Sequence, residues 1–208
     1  MRKIVILILS VAVIVSVSCT SSETKIANYS NPKTALLVID MQVDLLDDNG
    51  RLPIEKNQRE SLITTVNSII KDSQNDEQTI IYIRNILKKG SLSGPFLKYA
   101  TSEGTPGAEI DPRINIVSLN IYDKYKGSAL SNENLNNFLI QNQINELYLC
   151  GIMADGCVYY TALDAFGRNY KVNYYSNAVG AISGKGIEKA INKLNKKGIN
   201  VVEFQGEP

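Results

Sequence analysis

The sequence predicts an α/β fold built on a six-stranded, mainly parallel sheet. Short apolar or β-rich segments alternate with segments of helical periodicity between residues 34 and 204. The first strand-like run is almost continuously apolar, which is typical of strands covered on both faces. Strands that alternate with helices form right-handed βαβ units and a parallel sheet. These observations predict a three-layer, Rossmann-like domain with helices on both faces of the sheet.

Each element follows from its residue pattern. Strands are predicted at residues 34–39, 79–83, within 114–122, and at 147–150, 171–175 and 199–204. Helices are predicted at residues 54–71, 132–141, 157–168 and 184–197, where apolar residues recur at helical spacing. Residues 85–113 form a long stretch rich in Gly and Pro, and loops of that length in compact domains are often lids or binding loops.

Residues 1–18 have the pattern of a lipoprotein-type signal peptide. Arg2 and Lys3 precede a mostly apolar run that is shorter than the roughly 20 residues needed to span a bilayer. Cys19 stands where a bacterial lipoprotein signal places its lipidated cysteine. We therefore expect a lipid anchor at Cys19 in the cell envelope, a flexible tether over residues 19–32 and a folded domain over 33–208. A periplasmic or secreted protein and an uncleaved anchor remain alternatives.

The composition excludes several classes of function. The chain has 22 Lys and Arg against 21 Asp and Glu, without a basic stripe, so nucleic acid is not expected as a partner. The chain contains no histidine, which excludes a His-based metal site, a Ser-His-Asp triad and a Cys-His pair. We predict no metal and no cofactor. Three cysteines do not form a disulfide framework, and we expect Cys150 and Cys157 to be reduced.

Cys157 is the strongest candidate for a catalytic residue. An apolar strand at residues 147–150 leads into a glycine-bearing elbow at 151–156, and Cys157 opens the helix that follows. A thiol in the first turn lies at the positive end of the helix dipole, which favours the nucleophilic thiolate. We expect Cys157 to alkylate at a pH below the ordinary thiol pKa of about 8.5, and Asp40→Asn to slow that reaction. The alternative is a small buried residue that packs the helix start.

Two further polar residues follow predicted strands. Asp40 comes directly after the first strand and Lys124 lies just beyond the third. Taken singly, Asp40 is typical of a loop cap and Lys124 of a solvated surface. The carboxyl ends of parallel strands share one edge, however, and a topological switch between strands one and four brings Asp40 and Cys157 to one crevice. We therefore predict that Asp40, Lys124 and Cys157 form one site.

This arrangement resembles the isochorismatase-like cysteine hydrolases, a family that includes nicotinamidases and N-carbamoylsarcosine amidohydrolases. The resemblance extends over residues 34–202. The residues that carry it are Asp40 and Gln42; Lys124 with Ser128, Ala129 and Leu130; Gly151, Asp155, Cys157, Val158, Thr161 and Ala162; and the segment 104–110.

The resemblance implies a mechanism. Asp40 accepts the proton of Cys157, Lys124 holds both charges in place, and the thiolate attacks a carbonyl carbon to give a covalent intermediate. It also implies an oxyanion hole formed by the backbone N–H groups of Met153 and Cys157, after a cis peptide bond between Ile152 and Met153. A small-molecule substrate and a homo-oligomer are further expectations.

Departures from the family pattern narrow the prediction. Metal-binding nicotinamidases use histidines, which this chain lacks, and isochorismatases proper tend not to need the cysteine. We therefore expect a metal-independent hydrolase of C–N bonds, amide or carbamoyl.

Leu45 and Leu130 replace aromatic residues and Met153 replaces a smaller one, so Leu45 is a candidate pocket residue. Arg84 is a candidate for binding a substrate carboxylate, with a surface salt bridge as the alternative. A lipid-anchored binding protein on an inactivated hydrolase fold and a nicotinamidase without a metal site stay open.

Overall fold

The computed structural model describes residues 25–206. The predicted signal peptide, Cys19 and the first part of the predicted tether lie outside these residues. Between residues 25 and 206, no helix combines the length and the apolar character needed to cross a membrane.

Within residues 25–206, the domain contains six strands, five α-helices and two short 3-10 helices. The strands are β1 (Lys33–Ile39), β2 (Thr79–Asn85), β3 (Ile121–Lys124), β4 (Ile144–Ile152), β5 (Lys171–Gly180) and β6 (Asn200–Val202). The α-helices are α1 (Val43–Leu46), α2 (Lys56–Asn75), α3 (Glu133–Gln141), α4 (Cys157–Gly167) and α5 (Gly184–Lys196). The 3-10 helices are Pro106–Ala108 and Ala129–Ser131.

The sheet confirms the predicted α/β architecture. The strand order is β3-β2-β1-β4-β5-β6, and every neighbouring pair is parallel. The chain therefore switches direction between β1 and β4, which lie side by side with Ile39 opposite Gly151. Crevices for ligands form at such a switch, outside the carboxyl ends of the strands.

The third strand lies later in the chain than the sequence pattern suggests. Strand β3 covers Ile121–Lys124, whereas most of residues 114–120 have no regular structure. Side-chain hydrogen bonds, together with the backbone bond from the Tyr82 N–H to the Asn120 carbonyl at 2.9 Å, tie this segment to β2. The Tyr82 hydroxyl donates to the Asn115 carbonyl at 2.7 Å and accepts from the Val117 N–H at 3.1 Å. Helix α1 was also not predicted, because four residues are too few to show a helical period.

Both faces of the sheet are buried, as the apolar first strand predicted. Alternate residues of a strand point to opposite faces. Ala35, Leu37 and Ile39 pack with the apolar residues of α3, α4 and α5, and Leu36 and Val38 pack with those of α1 and α2. The two apolar layers hold the sheet rigidly, so that the ends of its strands form a stable platform for a site.

Part of the predicted tether lies against the domain. Residues 25–32 contain no helix or strand. The Ile26 N–H nevertheless donates to the Arg168 carbonyl at 3.0 Å, and the Ile26 side chain packs against the core cluster beside α4.

The long segment after β2 is attached to the domain by two buried polar side chains that follow β1. The Gln42 side-chain amide donates to the carbonyls of Asn85 at 3.0 Å and Ala108 at 2.6 Å. The Asp44 carboxylate accepts from the Thr101 N–H at 2.8 Å. These bonds satisfy loop groups that are shielded from water, so the base of this segment is a fixed wall of the domain.

Gly107 is required by the same contact. A Cβ at this position would overlap the Asp44 carboxyl group. Gly107→Ala is expected to lower the free energy of unfolding by about 1–3 kcal/mol, because the loop or the carboxylate must shift. Urea denaturation measures this change, and Gly184→Ala is the matched control, since a Cβ there meets no atom within 4 Å. Equal stability of the two variants would contradict the prediction.

Candidate active site

The site begins where β1 ends. Asp40 has a φ of 53°, so the backbone turns sharply after Ile39 and leaves the direction of the strand. On the neighbouring strand, Gly151 has a φ of 116°, and a Cβ there would overlap the Ile39 carbonyl oxygen. Glycine therefore permits the close approach of the two strand ends. The result is that Asp40 and the elbow before Cys157 lie side by side.

The structure brings Asp40, Lys124 and Cys157 together. The Lys124 Nζ lies 2.8 Å from Asp40 Oδ2 and 3.1 Å from Cys157 Sγ. The side chains of Lys124 and Asp40 are 0% and 2% exposed, whereas Cys157 is partly exposed. Three residues that end or follow three different strands thus meet at one edge of the sheet, with the sulfur nearest to solvent.

Asn85 is a fourth member of the cluster that the sequence analysis missed. Its Oδ1 accepts a hydrogen bond from Lys124 Nζ at 3.1 Å, and its Nδ2 donates to Thr101 Oγ1 at 3.0 Å. Asn85 is the last residue of β2. A polar residue at the end of a predicted strand is the same signal that pointed to Asp40, so this residue was identifiable.

Burial and mutual attraction shift the pKa values of Asp40 and Lys124. Burial raises the pKa of Asp40 above its usual range, although the neighbouring Lys124 acts in the opposite direction. Burial alone would lower the pKa of Lys124, but the negative charges of Asp40 and Cys157 raise its pKa overall. Lys124 is therefore a permanent cation that stabilises one negative charge beside it.

The expectation of a Cys157 thiol with a lowered pKa is wrong for the resting site. Burial, and then the negative charge of Asp40, raise the pKa of Cys157 to about 12, although Lys124 acts to lower it. One lysine compensates one anion, and a second anion in the same buried cluster is unfavourable. The cluster thus keeps one proton, which Asp40 and Cys157 share between them.

Asp40 has an atom suited to receive that proton. Its Oδ2 pairs with Lys124, while its Oδ1 is buried and has no hydrogen-bond partner among residues 25–206. A thiolate at Cys157 can therefore form by proton transfer to Asp40 inside the cluster, without loss of a proton to water.

The segment after Lys124 is joined to the helix that carries Cys157. The Thr161 hydroxyl donates to the Cys157 carbonyl at 2.7 Å and accepts from the Ala129 N–H at 2.9 Å. The Ser128 hydroxyl donates to Asp164 of the same helix at 2.6 Å. These bonds explain why Ser128, Ala129 and Thr161 belong to the sequence pattern: they hold two parts of the site in register.

The elbow before Cys157 leaves two backbone N–H groups without a partner among the described residues. The Ile152–Met153 peptide bond is cis, as predicted. The Met153 carbonyl accepts from the N–H groups of Gly156 at 3.0 Å and Val158 at 3.1 Å. The N–H groups of Met153 and Cys157 themselves donate to no other residue between 25 and 206. Both N–H groups are therefore available to a ligand at the start of α4.

Cys157 opens into a cavity of about 570 Å³. The cavity is lined by Asn85, Ile86, Leu87, Lys88, Lys89, Gly90, Ser91, Ser93, Leu97, Tyr125, Lys126, Gly127, Gly156, Cys157 and Tyr160. The segment between β2 and β3 supplies most of one wall, which agrees with its predicted role as a binding loop.

The structure does not bring Arg84 or Leu45 to this cavity. Arg84 Nε lies 2.8 Å from Asp123 and its Nη1 lies 2.6 Å from Glu109, so the guanidinium is held in ion pairs. This is the salt-bridge alternative rather than a substrate contact. Leu45 is buried in the apolar layer beside α2, because α1 directs it towards the core.

The residues of this site do not fit a metal ion. Among residues 25–206, no group of three or more His, Cys, Asp or Glu side chains lies close enough to hold one. Lys124 occupies the position between Asp40 and Cys157, and its positive charge opposes a cation there.

Fold and site together define a class: a parallel α/β domain with an Asp–Lys–Cys cluster at the carboxyl edge of its sheet. The chain belongs to the isochorismatase family, because the sequence model of that family, described as "Isochorismatase domain", matches residues 34–205.

Curated relatives support this assignment. A probable inactive nicotinamidase of Arabidopsis thaliana is 27% identical over 183 residues, which cover 81% of this chain and 90% of the relative. An uncharacterized isochorismatase family protein of Bacillus subtilis is 32% identical over 87 residues. That match spans 40% of this chain and about half, 48%, of the relative.

Solved structures share the fold. The pyrazinamidase of Pyrococcus horikoshii, solved with zinc, superposes with a TM-score of 0.75 at 26% identity and covers 83% of this chain and 100% of its own. The N-carbamoylsarcosine amidase of Thermoplasma acidophilum superposes with a TM-score of 0.70 at 24% identity, over 84% of this chain and 99% of its own.

Proposed function

We propose that this protein is a metal-independent cysteine hydrolase that cleaves the C–N bond of a small amide or carbamoyl compound through a thioester-type intermediate. The observation that carries the proposal is the position of Lys124 Nζ, 2.8 Å from Asp40 Oδ2 and 3.1 Å from Cys157 Sγ. A buried lysine in this position stabilises a carboxylate before proton transfer and a thiolate after it.

The reaction begins with proton transfer from Cys157 Sγ to Asp40. The thiolate attacks the substrate carbonyl carbon, and the oxygen takes up the negative charge. The N–H groups of Met153 and Cys157 donate to this oxyanion, which is the usual way in which backbone donors stabilise such a charge. The tetrahedral species then collapses: the C–N bond breaks, and the leaving nitrogen takes the proton from Asp40.

The second half of the reaction regenerates the thiol. Asp40, again a carboxylate, removes a proton from a water molecule that attacks the thioester carbon. The C–S bond breaks, the carboxylic or carbamic acid leaves, and the proton on Asp40 returns to Cys157. Lys124 keeps its positive charge throughout, so that the cluster never holds an uncompensated anion.

A substrate panel tests this proposal. Release of ammonia is measured with nicotinamide, short aliphatic amides and N-carbamoyl amino acids. Activity is expected in the wild type and in Cys150→Ala, which alters a buried strand cysteine outside the cluster. In Cys157→Ala, activity is expected to fall at least about 10³-fold, as for loss of a catalytic nucleophile.

The outcomes separate the alternatives. Activity that survives in Cys157→Ala contradicts the covalent mechanism. Ammonia release from nicotinamide alone indicates a nicotinamidase that works without a metal. Stabilisation of the protein by an amide that is never hydrolysed indicates a binding protein on an inactivated hydrolase fold.

A further inference from the structure

The rim of the cavity beside Cys157 is positively charged. Lys88, Lys89 and Lys126 line it, and the lining contains no Asp or Glu. The chain as a whole is almost balanced, with 22 basic and 21 acidic residues. Three lysines at one opening, without a carboxylate among the lining residues, are therefore a local excess of positive charge.

These rim lysines are available to a ligand. All three are exposed, and none forms an ion pair with another residue between 25 and 206. Lys88 Nζ lies 4.1 Å from the centroid of the Tyr125 ring, which also lines the cavity and favours a cation above its face. Lys56 and Lys171 differ in this respect, because they pair with Asp48 at 2.8 Å and with Glu146 at 2.9 Å.

The cavity is chemically graded from its floor to its rim. Cys157 and Asn85 lie beside the buried cluster. Leu87 is buried and Leu97 half-buried, and both are apolar, whereas the side chains of Lys88, Lys89 and Lys126 are exposed. A ligand that fits this gradient has its reacting group at one end, a small apolar part in the middle and an anion at the other end.

We propose that the substrate carries a negatively charged group, most simply a carboxylate, which the rim lysines Lys89 and Lys126 bind while its C–N group lies at Cys157. This inference rests on the proposed function for the nature of the scissile bond. A cleft lined by charges of one sign raises the local concentration of an oppositely charged ligand and speeds its association. Neutral amides lack this attraction.

Two alkylating probes of similar size test the rim without any turnover. Iodoacetate carries a carboxylate, and iodoacetamide is its neutral counterpart. Both alkylate the same sulfur, so the ratio of their rates at Cys157 cancels the thiolate fraction. The rates are measured on the full chain by mass spectrometry, with Cys157→Ala to identify labelling of other cysteines.

The variant Lys89→Gln/Lys126→Gln is expected to lower the iodoacetate-to-iodoacetamide rate ratio about fivefold, because it removes two unit charges within roughly a Debye length of the probe. An unchanged iodoacetamide rate shows that the variant is folded with an open cavity. Lys196→Gln/Lys197→Gln, at the end of α5, is the charge-matched control and should keep the wild-type ratio. High salt should lower the wild-type ratio in the same direction as the double variant.

A ratio that is the same in the wild type and in Lys89→Gln/Lys126→Gln overturns the anion site and leaves the proposed hydrolase untouched. Conversely, a ratio that falls as expected in a protein that hydrolyses no amide supports the anion site and contradicts the hydrolase.

Discussion

Asp40→Asn is expected to lower turnover by at least about 10³-fold and, at the same time, to lower the pKa of Cys157. Turnover is lost because no other group in the cluster can take the thiol proton, deliver it to the leaving nitrogen and activate water. The pKa falls because, after burial, the negative charge of Asp40 is the largest cause that raises it. In the variant, the thiolate becomes the only counter-charge available to the buried Lys124.

The pH dependence of alkylation measures the second effect. In the wild type, where the pKa of Cys157 is raised to about 12, the iodoacetamide rate is expected to rise with pH without a plateau below about pH 10. In Asp40→Asn, the plateau is expected at a lower pH, nearer to the ordinary thiol pKa of about 8.5. This reverses the expectation from sequence alone, in which Asp40→Asn slows the reaction.

Turnover and alkylation rate of Asp40→Asn, taken together, test the proposed role of Asp40. A variant that is inactive and alkylates faster at neutral pH supports Asp40 as the proton acceptor beside a lysine-stabilised thiolate. A variant that alkylates more slowly than the wild type at every pH contradicts the proposed charge balance. Asp155→Asn, an exposed carboxylate in the same elbow, is the control and should leave the alkylation profile unchanged.

Lys124→Met is expected to lower the free energy of unfolding by about 3–5 kcal/mol and to abolish turnover. Removing one member of a buried ion pair leaves the other charge without compensation. Lys124 is 0% and Asp40 2% exposed in the side chain, so water cannot replace the lost partner. Urea denaturation measures the loss.

The double variant Asp40→Asn/Lys124→Met is the control for this effect. It removes both charges, and most of the lost stability is expected to return while turnover stays absent. Stability in Lys124→Met equal to that of the wild type would contradict the ion pair as a structural element.

The loss of unfolding free energy in Lys124→Met should also depend on pH. Burial already raises the pKa of Asp40, and removal of Lys124 removes the main opposing cause. The folded variant then binds a proton that the unfolded chain releases above about pH 3.9, so its stability falls as the pH rises from that value. The loss is therefore expected to be smaller at pH 5 than at pH 8.

The residue pattern along the chain predicts the order and type of the main elements and three residues of the site. Apolar runs with helices between them specify a parallel sheet, because strands of this kind must be covered on both faces. Asp40, Lys124 and Cys157 were identifiable because each ends or follows a predicted strand or opens the helix after it. The end of a strand and the start of a helix depend on residues that are adjacent in the sequence, so both can be predicted from it.

The chemical behaviour of these residues depends on contacts between distant parts of the chain. The segment before β3 is held by two hydrogen bonds with the hydroxyl of Tyr82, which lies in β2 and is distant in the sequence. Arg84 forms ion pairs with Asp123 and Glu109, which lie far from it in the sequence. The pKa of Cys157 rises, although a helix start favours thiolate, because burial and the charge of Asp40 outweigh the lowering effect of Lys124. Burial and local charge depend on many residues that are distant in the sequence and come together only on folding. A short stretch of sequence therefore does not reveal them.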